Sequence, residues 1–448
     1  MRLFAALSAF EVGGVLTALA LNRYYNVLSV LTARQTIVLV SFVTFFLASG
    51  GYVVVRFLQC RRRNHRQFML TLAANLTALG LSVVAGEVVI RAFSVSTRAG
   101  QSFAGTVLLP KSWDEVKARN ADLIVHAPSN VSYLVPDDLL GWAPGANRRS
   151  ADGLYSSSAE GLRSSRPGIS YAANSARRRV AIIGDSYTYG LEVPFEDSWG
   201  AALEKALGDE VTVLNFGVNG YGVDQAYLRY ERDGRPWRPD VAIFGFIEDD
   251  LYRSLSVYSF VTFPEWDLPF SKPRFVRNGG RLERLNDRPE SPAQILTRPS
   301  ITDLPFLNYE PGYNPDEWKR HVYDGLYLGR FLRSRFPRWP RENRAGSDRE
   351  LEAINSELLL NFTRRATDDG TAPVVAYFPS RGDFTGQDRS AKDSVLAALQ
   401  REGVSYLDLT SCIGASGGEQ AFIPGRPHIP PKVTPPSLGA CCRRCGIG

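Results

Sequence analysis

Histidine and cysteine are scarce in this chain, at four and five of 448 residues. Cys60 lies in the amino-terminal part, Cys412 stands by itself, and Cys441, Cys442 and Cys445 crowd the last eight residues. No second His/Cys cluster accompanies that tail, so no metal site and no cofactor are expected. Lysine is rare as well, with seven against 45 arginines. No internal repeat is visible, which removes repeat architectures. The larger part of the chain also lacks net charge. Residues 1–91 carry nine arginines against Glu11 and Glu87, or +7, whereas the remaining residues sum to −1. A basic pI points to nucleic acid only when the charge sits on a soluble face, so no nucleic-acid partner is expected.

Long apolar runs are present at the amino terminus. Leu3–Leu21, Gln35–Leu58 and Phe68–Ile90 are each long enough to span a bilayer. The loop between the second and third holds Arg61, Arg62, Arg63 and Arg66, which the positive-inside rule places in the cytoplasm. About three transmembrane helices over 1–91 are therefore expected in the cytoplasmic (inner) membrane, with the lipid bilayer as a partner. Everything after Arg91 would lie outside the cytoplasm, in the periplasm or beyond.

Residues 92–177 read as a linker and lead-in segment. From Arg178 a strand–helix alternation begins. Strands are expected at Val180–Ile183, Val211–Asn215, Val241–Phe246, Ala372–Phe378 and Val404–Leu409. Helices are expected at Glu196–Leu207, Val223–Arg232, Asp348–Ala366 and Asp388–Arg401. Such alternation predicts an α/β fold with a parallel sheet covered on both faces. The interval 251–346 interrupts it with sixteen aromatics, and an insertion of this length reads as a lobe or substrate-binding element. Its aromatics either form a small core of their own or supply a surface for sugar rings or membrane. Within it, Asp316–Arg335 is expected to be one helix, with Trp318, Val322, Leu328 and Phe331 on its apolar face.

The first strand ends in Gly184-Asp185-Ser186, which sets a serine on a tight turn where open α/β sheets hold their chemistry. A serine hydroxyl needs a base within hydrogen-bond reach, and the tetrahedral oxyanion needs preorganised donors. Gly184-Asp185-Ser186, then Asn215-Phe216-Gly217-Val218-Asn219-Gly220, then a third strand, together resemble the GDSL/SGNH hydrolase superfamily. The likeness runs from about 178 to 432. Gly141-Trp142 and the phrase Gly-Asp-Ser-Tyr-Thr-Tyr-Gly are similar to membrane-anchored bacterial members.

The resemblance implies a flavodoxin-like three-layer α/β/α sandwich over 178–432. It makes Ser186 the nucleophile, His428 the base, and the Ser186 and Gly217 N–H groups the oxyanion donors. Gly184, Asp185 and Asp249 support the motifs. The family's third donor is an asparagine, where this chain has Glu248; Asn219 is the nearest spare amide in sequence. The family's acid lies two or three residues before the histidine, where this chain has Arg426 and Gly425. The tail 433–448 cannot form the expected closing helix and is read as a frameshift product. The function expected is a serine esterase acting on acyl esters, chiefly acetyl, of a carbohydrate or other substrate outside the cytoplasm. The alternatives are an O-acetyltransferase of a cell-surface polysaccharide and a catalytically silent glycan-binding scaffold.

Overall fold

The computed structural model describes residues 51–52, 55, 65–97, 99–125, 133–173, 178–264, 269–335, 344–386, 389–415 and 417–422. The expected spans Leu3–Leu21 and, almost wholly, Gln35–Leu58 lie outside these residues, as do His126, Gly425, Arg426, His428 and the tail 433–448. The chain divides into two compact units. The smaller comprises Met1–Ser96, Gln101–Pro110 and Arg320–Glu342; the larger comprises Thr97–Gly100, Lys111–Lys319 and Asn343–Gly448.

In the smaller unit, the third expected span falls within a helix at His65–Phe93. Asn75, Thr77 and Glu87 interrupt its apolar run. Among the described residues, no helix is long and apolar enough to cross a membrane. Leu76, Leu81, Val84 and Val88 are exposed along this helix. Glu87 accepts from the Leu328 N–H at 2.9 Å, which ties the helix to a second one at Tyr327–Arg335. The single helix expected over Asp316–Arg335 is broken. Pro315–Trp318 is helical, Lys319 turns to extended backbone, Val322–Gly325 is a 3₁₀ turn, and the helix restarts at Tyr327. The Asp324 carboxylate accepts from the His321 N–H and pairs with Arg333 at 2.7 Å, fixing the break.

The larger unit is built on five parallel strands: β1 (Arg178–Ile183), β2 (Val211–Asn215), β3 (Val241–Phe246), β4 (Ala372–Tyr377) and β5 (Tyr406–Asp408). Their order across the sheet is β2-β1-β3-β4-β5, with every neighbouring pair parallel. This is the flavodoxin-like order of doubly wound sheets; the alternation led to the parallel sheet, and the resemblance implied the flavodoxin-like arrangement. Side chains alternate across the pleat, so each strand feeds two cores. Val180, Ile182 and Val213 pack under Trp199 and Leu203 of α2 (Trp199–Leu207). Ala181, Ile183, Leu214 and Phe244 pack on the opposite face. There they meet α3 (Val223–Arg229), α5 (Arg344–Asp368) and α6 (Ser390–Arg401). Shorter helices include α1 (Ser186–Tyr189), α4 (Glu248–Arg253) and α7 (Thr410–Ala415).

Residues 133–173 are more than a linker. They form two small antiparallel ladders, Leu134–Asp137 with Gly141–Pro144 and Ser156–Ser157 with Arg163–Ser164. Leu140, Trp142 and Leu162 are buried in the same core as α3 and α5. Trp142 donates to the Asn219 carbonyl at 3.0 Å, and Gln225 donates to the Leu140 carbonyl at 2.7 Å. Some described aromatics of the insertion share a small separate core, whereas Phe270 and Phe275 join the main core of the sheet. Tyr258 and Phe260 pack with Trp113, Val257, Ile295 and Leu304, and Trp318 lies against them. Cys412, read from sequence as isolated, is disulfide-bonded.

Candidate active site

Sheet topology selects the place. Strand order reverses between β1 and β3, and ligands of doubly wound sheets bind in the crevice outside the carboxyl ends at that reversal. Ser186 follows β1 by three residues, and Glu248 follows β3 by two. The turn into Ser186 is dictated by space. A Cβ on Gly184 would lie 2.3 Å from the Gly245 carbonyl oxygen of β3 and 2.4 Å from Thr188 Oγ1, so only glycine fits where the two strand ends converge. Asp185 then caps α1, accepting from the Tyr187 N–H at 2.9 Å. Ser186 is only 3% exposed and its hydroxyl donates to Asp185 Oδ2 at 3.2 Å.

Behind the serine lies a buried charge cluster. Arg253 Nη1 meets Asp250 Oδ1 at 2.6 Å and Asp185 Oδ2 at 3.4 Å, and it donates to the Tyr221 carbonyl at 3.4 Å. Burial, and then the like charge of Asp185, push the Asp250 carboxyl well above the usual carboxylate range. Asp249 is largely exposed and reaches Arg253 at 3.9 Å. The sequence signal for Arg253 was available: it stands three residues after Asp250, one turn along a helix.

Gly217 sits against α1. A Cβ there would come within 2.5 Å of the Tyr189 nitrogen and 2.8 Å of the Thr188 carbonyl carbon, so the glycine admits the backbone of α1. Its N–H donates to Asn215 Oδ1 at 2.9 Å, and Asn215 Nδ2 in turn donates to the Thr188 carbonyl at 2.9 Å. Asn215, not singled out from sequence, thus stitches the end of β2 to α1. Asn219 is half-buried on the same loop, held through its backbone carbonyl by Trp142.

Glu248 is buried, and its carboxylate oxygens have partners. One pairs with Arg389, and the other accepts from the Lys392 N–H at 3.3 Å. Burial pushes its carboxyl up, against the pull of Arg389 and that N–H. The pair belongs to a wider network at the ends of β3, β4 and β5. Tyr377 donates to Asp383 at 2.9 Å, Arg389 donates to Ser380 Oγ at 2.9 Å, and Lys392 meets Asp408 at 3.1 Å. Among the described residues, no group of His, Cys, Asp and Glu could hold a metal ion. The structure therefore brings together Asp185, Ser186, Asp249, Asp250 and Arg253, and sets the Gly217 loop against α1. The base expected at His428 lies outside the described residues.

No family model and no curated protein matches the chain. Several solved structures are similar to this chain, at low identity and low TM-score. One is a lipolytic protein of the G-D-S-L family from Desulfitobacterium hafniense, at 13% identity and TM-score 0.31, covering 59% of this chain and 98% of that one. Another is an α/β-hydrolase enzyme from the metagenome of Lake Arreo, at 15% identity and TM-score 0.33, covering 61% and 97%. A third is an acetylxylan esterase from Geobacillus stearothermophilus, at 13% identity and TM-score 0.31, covering 60% and 93%.

Proposed function

We propose that the chain is a serine esterase working through an acyl-enzyme on Ser186. One observation carries the reading: a buried serine opening a helix capped by Asp185, on a turn that only glycine can make, at the strand-order reversal of a doubly wound sheet. In this scheme Ser186 Oγ attacks the acyl carbonyl and forms the C–O bond of a tetrahedral intermediate. Its proton passes to His428 and from there to the departing alkoxide. The ester C–O bond to the alcohol breaks to leave the acyl-enzyme; water then gives its proton to His428 and adds to the acyl carbon, the bond to Ser186 Oγ breaks, Oγ takes the proton back from His428, and the carboxylic acid departs. The Ser186 and Gly217 N–H groups are assigned to the oxyanion, which requires Asn215 Oδ1 to yield or share the Gly217 donor.

A membrane-attached protein with its larger unit outside the cytoplasm belongs to the same proposal. The arginine distribution supports it, as do the exposed apolar side chains of the His65–Phe93 helix. A disulfide at Cys412 accords with an oxidising compartment.

The test is labelling of the full chain with a fluorophosphonate probe, together with p-nitrophenyl acetate turnover. Wild type is expected to label, and Ser186→Ala to lose both labelling and at least about 10³-fold in turnover. Equal turnover of the two proteins overturns the proposal and leaves a silent scaffold. Acetyl transfer to an added oligosaccharide in excess of hydrolysis would reassign the second step to a transferase.

A further inference from the structure

The smaller unit exposes an apolar patch on the stretch 320–335, and the packing of that stretch shows which side carries it. The Tyr327–Arg335 helix turns one face inward. Leu328 lies against Gly86 of the His65–Phe93 helix, where an added Cβ would meet both of its methyl groups at 3.8 Å. Phe331 meets Phe103 edge to face at 5.5 Å, and the Ser334 hydroxyl accepts from the Leu109 N–H at 2.9 Å. The outward side is apolar too. The Val322–Gly325 turn folds back over Gly329, where an added Cβ would collide with the Tyr323 carbonyl oxygen and stand 3.8 Å from Leu326 Cβ. Leu332 follows Gly329 by one helical turn and so continues the same side. Val322, Tyr323, Leu326 and Leu332 are all exposed, Val322 fully. Apolar side chains gathered in this way mark a contact surface.

Position and charge select the occupant. The stretch docks on the last turns of a helix whose Leu76, Leu81, Val84 and Val88 are exposed. Glu87 there holds the Leu328 N–H, and the Arg91 guanidinium lies 4.7 Å from the Tyr327 ring centre. The apolar run of that helix ends at Ile90 and Arg91, so a bilayer around its exposed side chains has its headgroups at this level. Tyr323, stacked on His321 at 5.2 Å, suits that depth, because rings with a polar edge concentrate among headgroups. The charge is of one sign. Residues 320–335 hold Arg320, Arg330, Arg333 and Arg335 against Asp324, a surplus of three. Arg333 pairs with Asp324 at 2.7 Å. Arg330 is held by neutral acceptors, Gln101 Oε1 at 2.6 Å and the Leu109 carbonyl at 3.0 Å, which leave its charge standing. Apolar side chains beside surplus cations, level with the end of an apolar helix, fit an anionic headgroup layer. We propose that the 320–335 stretch is an interfacial foot, seating Val322, Tyr323, Leu326 and Leu332 among the headgroups of a bilayer that contains anionic phospholipid. The inference rests on the membrane attachment proposed above and is independent of the chemistry assigned to Ser186.

Flotation and amide hydrogen exchange of the full chain test it, with vesicles of phosphatidylcholine alone and of an equimolar mixture with phosphatidylglycerol. Exchange across 320–335 is expected to be at least about tenfold slower in the mixture. Val322→Asp with Leu326→Asp should return it to the rate seen in phosphatidylcholine. Arg320→Gln with Arg335→Gln should shrink the difference between the lipids to within about threefold, since each basic residue near an anionic surface strengthens binding about fivefold. Exchange across β1, β2 and β3 should be unchanged in both variants, and so should p-nitrophenyl acetate turnover. Equal exchange of wild type in the two lipids overturns the proposal. So does slow exchange that survives the aspartate substitutions, because protein and not lipid would then cover the patch. If the aspartate variant disturbs the strands, the arginine variant decides alone, and an undiminished lipid preference in it overturns the proposal. A chain that does not float with either lipid overturns the attachment reading and this one with it. A chain that floats with 320–335 unprotected overturns this one alone.

Discussion

Glu248 shows how a single residue departs from its motif without leaving a loose charge. A carboxylate stands where the resemblance implies an amide, and the fold answers it with Arg389, supplied from the start of α6 across the sheet. Removing one partner of a buried pair is far worse than neutralising it, because the survivor keeps its desolvation cost. Arg389→Met would strand Glu248 beside Asp383, and is expected to cost about 3 kcal/mol of stability. Glu248→Gln retains an acceptor for the guanidinium and is expected to cost about 1 kcal/mol. Urea unfolding of both variants at neutral pH decides the matter; equal losses would mean that the pair contributes nothing specific. Nothing in the sequence pointed to Arg389, since the partners stand 141 positions apart.

At the scale of elements, the hairpin Leu134–Asp137/Gly141–Pro144 is pinned to the π-helix Tyr230–Gly234 by Asp137. Burial pushes this carboxyl up. The Arg232 hydrogen bonds, and the Leu140 and Leu139 N–H groups at 2.8 and 2.9 Å, outweigh it and hold the group below its usual range. A depressed carboxylate contributes stability that is present above its unfolded pKa of about 3.9 and is lost as pH falls through the lower folded value. Wild type should therefore exceed Asp137→Asn in thermal midpoint at pH 6–7, and the gap should close below about pH 4. A gap that is the same at pH 7 and pH 3 would refute the ionic account.

The same elements show what can be read in advance. β1, β2 and β3 were legible because strands buried on both faces leave unbroken apolar runs. The Ser186 turn was legible because glycine and aspartate mark it. The lead-in ladders were not legible: their strands are only two to four residues long, too short for a periodic pattern, and are held by long-range contacts such as Trp142 with Asn219. The break after Trp318 was hidden for a related reason. The 316–335 stretch carries helical periodicity, and the Asp324 carboxylate that ends the run acts through the His321 N–H and Arg333.

Across the larger unit, three distant stretches of chain meet at one buried ion pair. Lys272 of the insertion and Asp224 of α3 are both fully buried and 2.5 Å apart, and Lys272 also donates to the Pro273 carbonyl at 2.9 Å. Gly141 of the lead-in hairpin closes the junction. A Cβ there would lie 2.2 Å from the Ser271 carbonyl oxygen, and its φ of +86° favours glycine independently. The pair thus joins the insertion, the hairpin and the helix that follows the Gly217 loop. Its energetics follow from desolvation: burial pulls the Lys272 ammonium down and pushes the Asp224 carboxyl up, each restrained by the other. Lys272→Met alone leaves a carboxylate in an apolar junction and should cost about 3–5 kcal/mol. Lys272→Met with Asp224→Leu removes both charges at similar volume and should recover most of that loss. A double-mutant cycle by denaturant unfolding measures the coupling. If the double variant is as unstable as the sum of the singles, the junction depends on packing around Gly141 and not on the charges. If it recovers, then p-nitrophenyl acetate turnover of the double variant shows whether the proposed esterase activity needs the insertion anchored. Turnover near wild type would assign the ion pair to assembly of the unit, and loss of turnover in a stable double variant would tie the insertion's placement to the site.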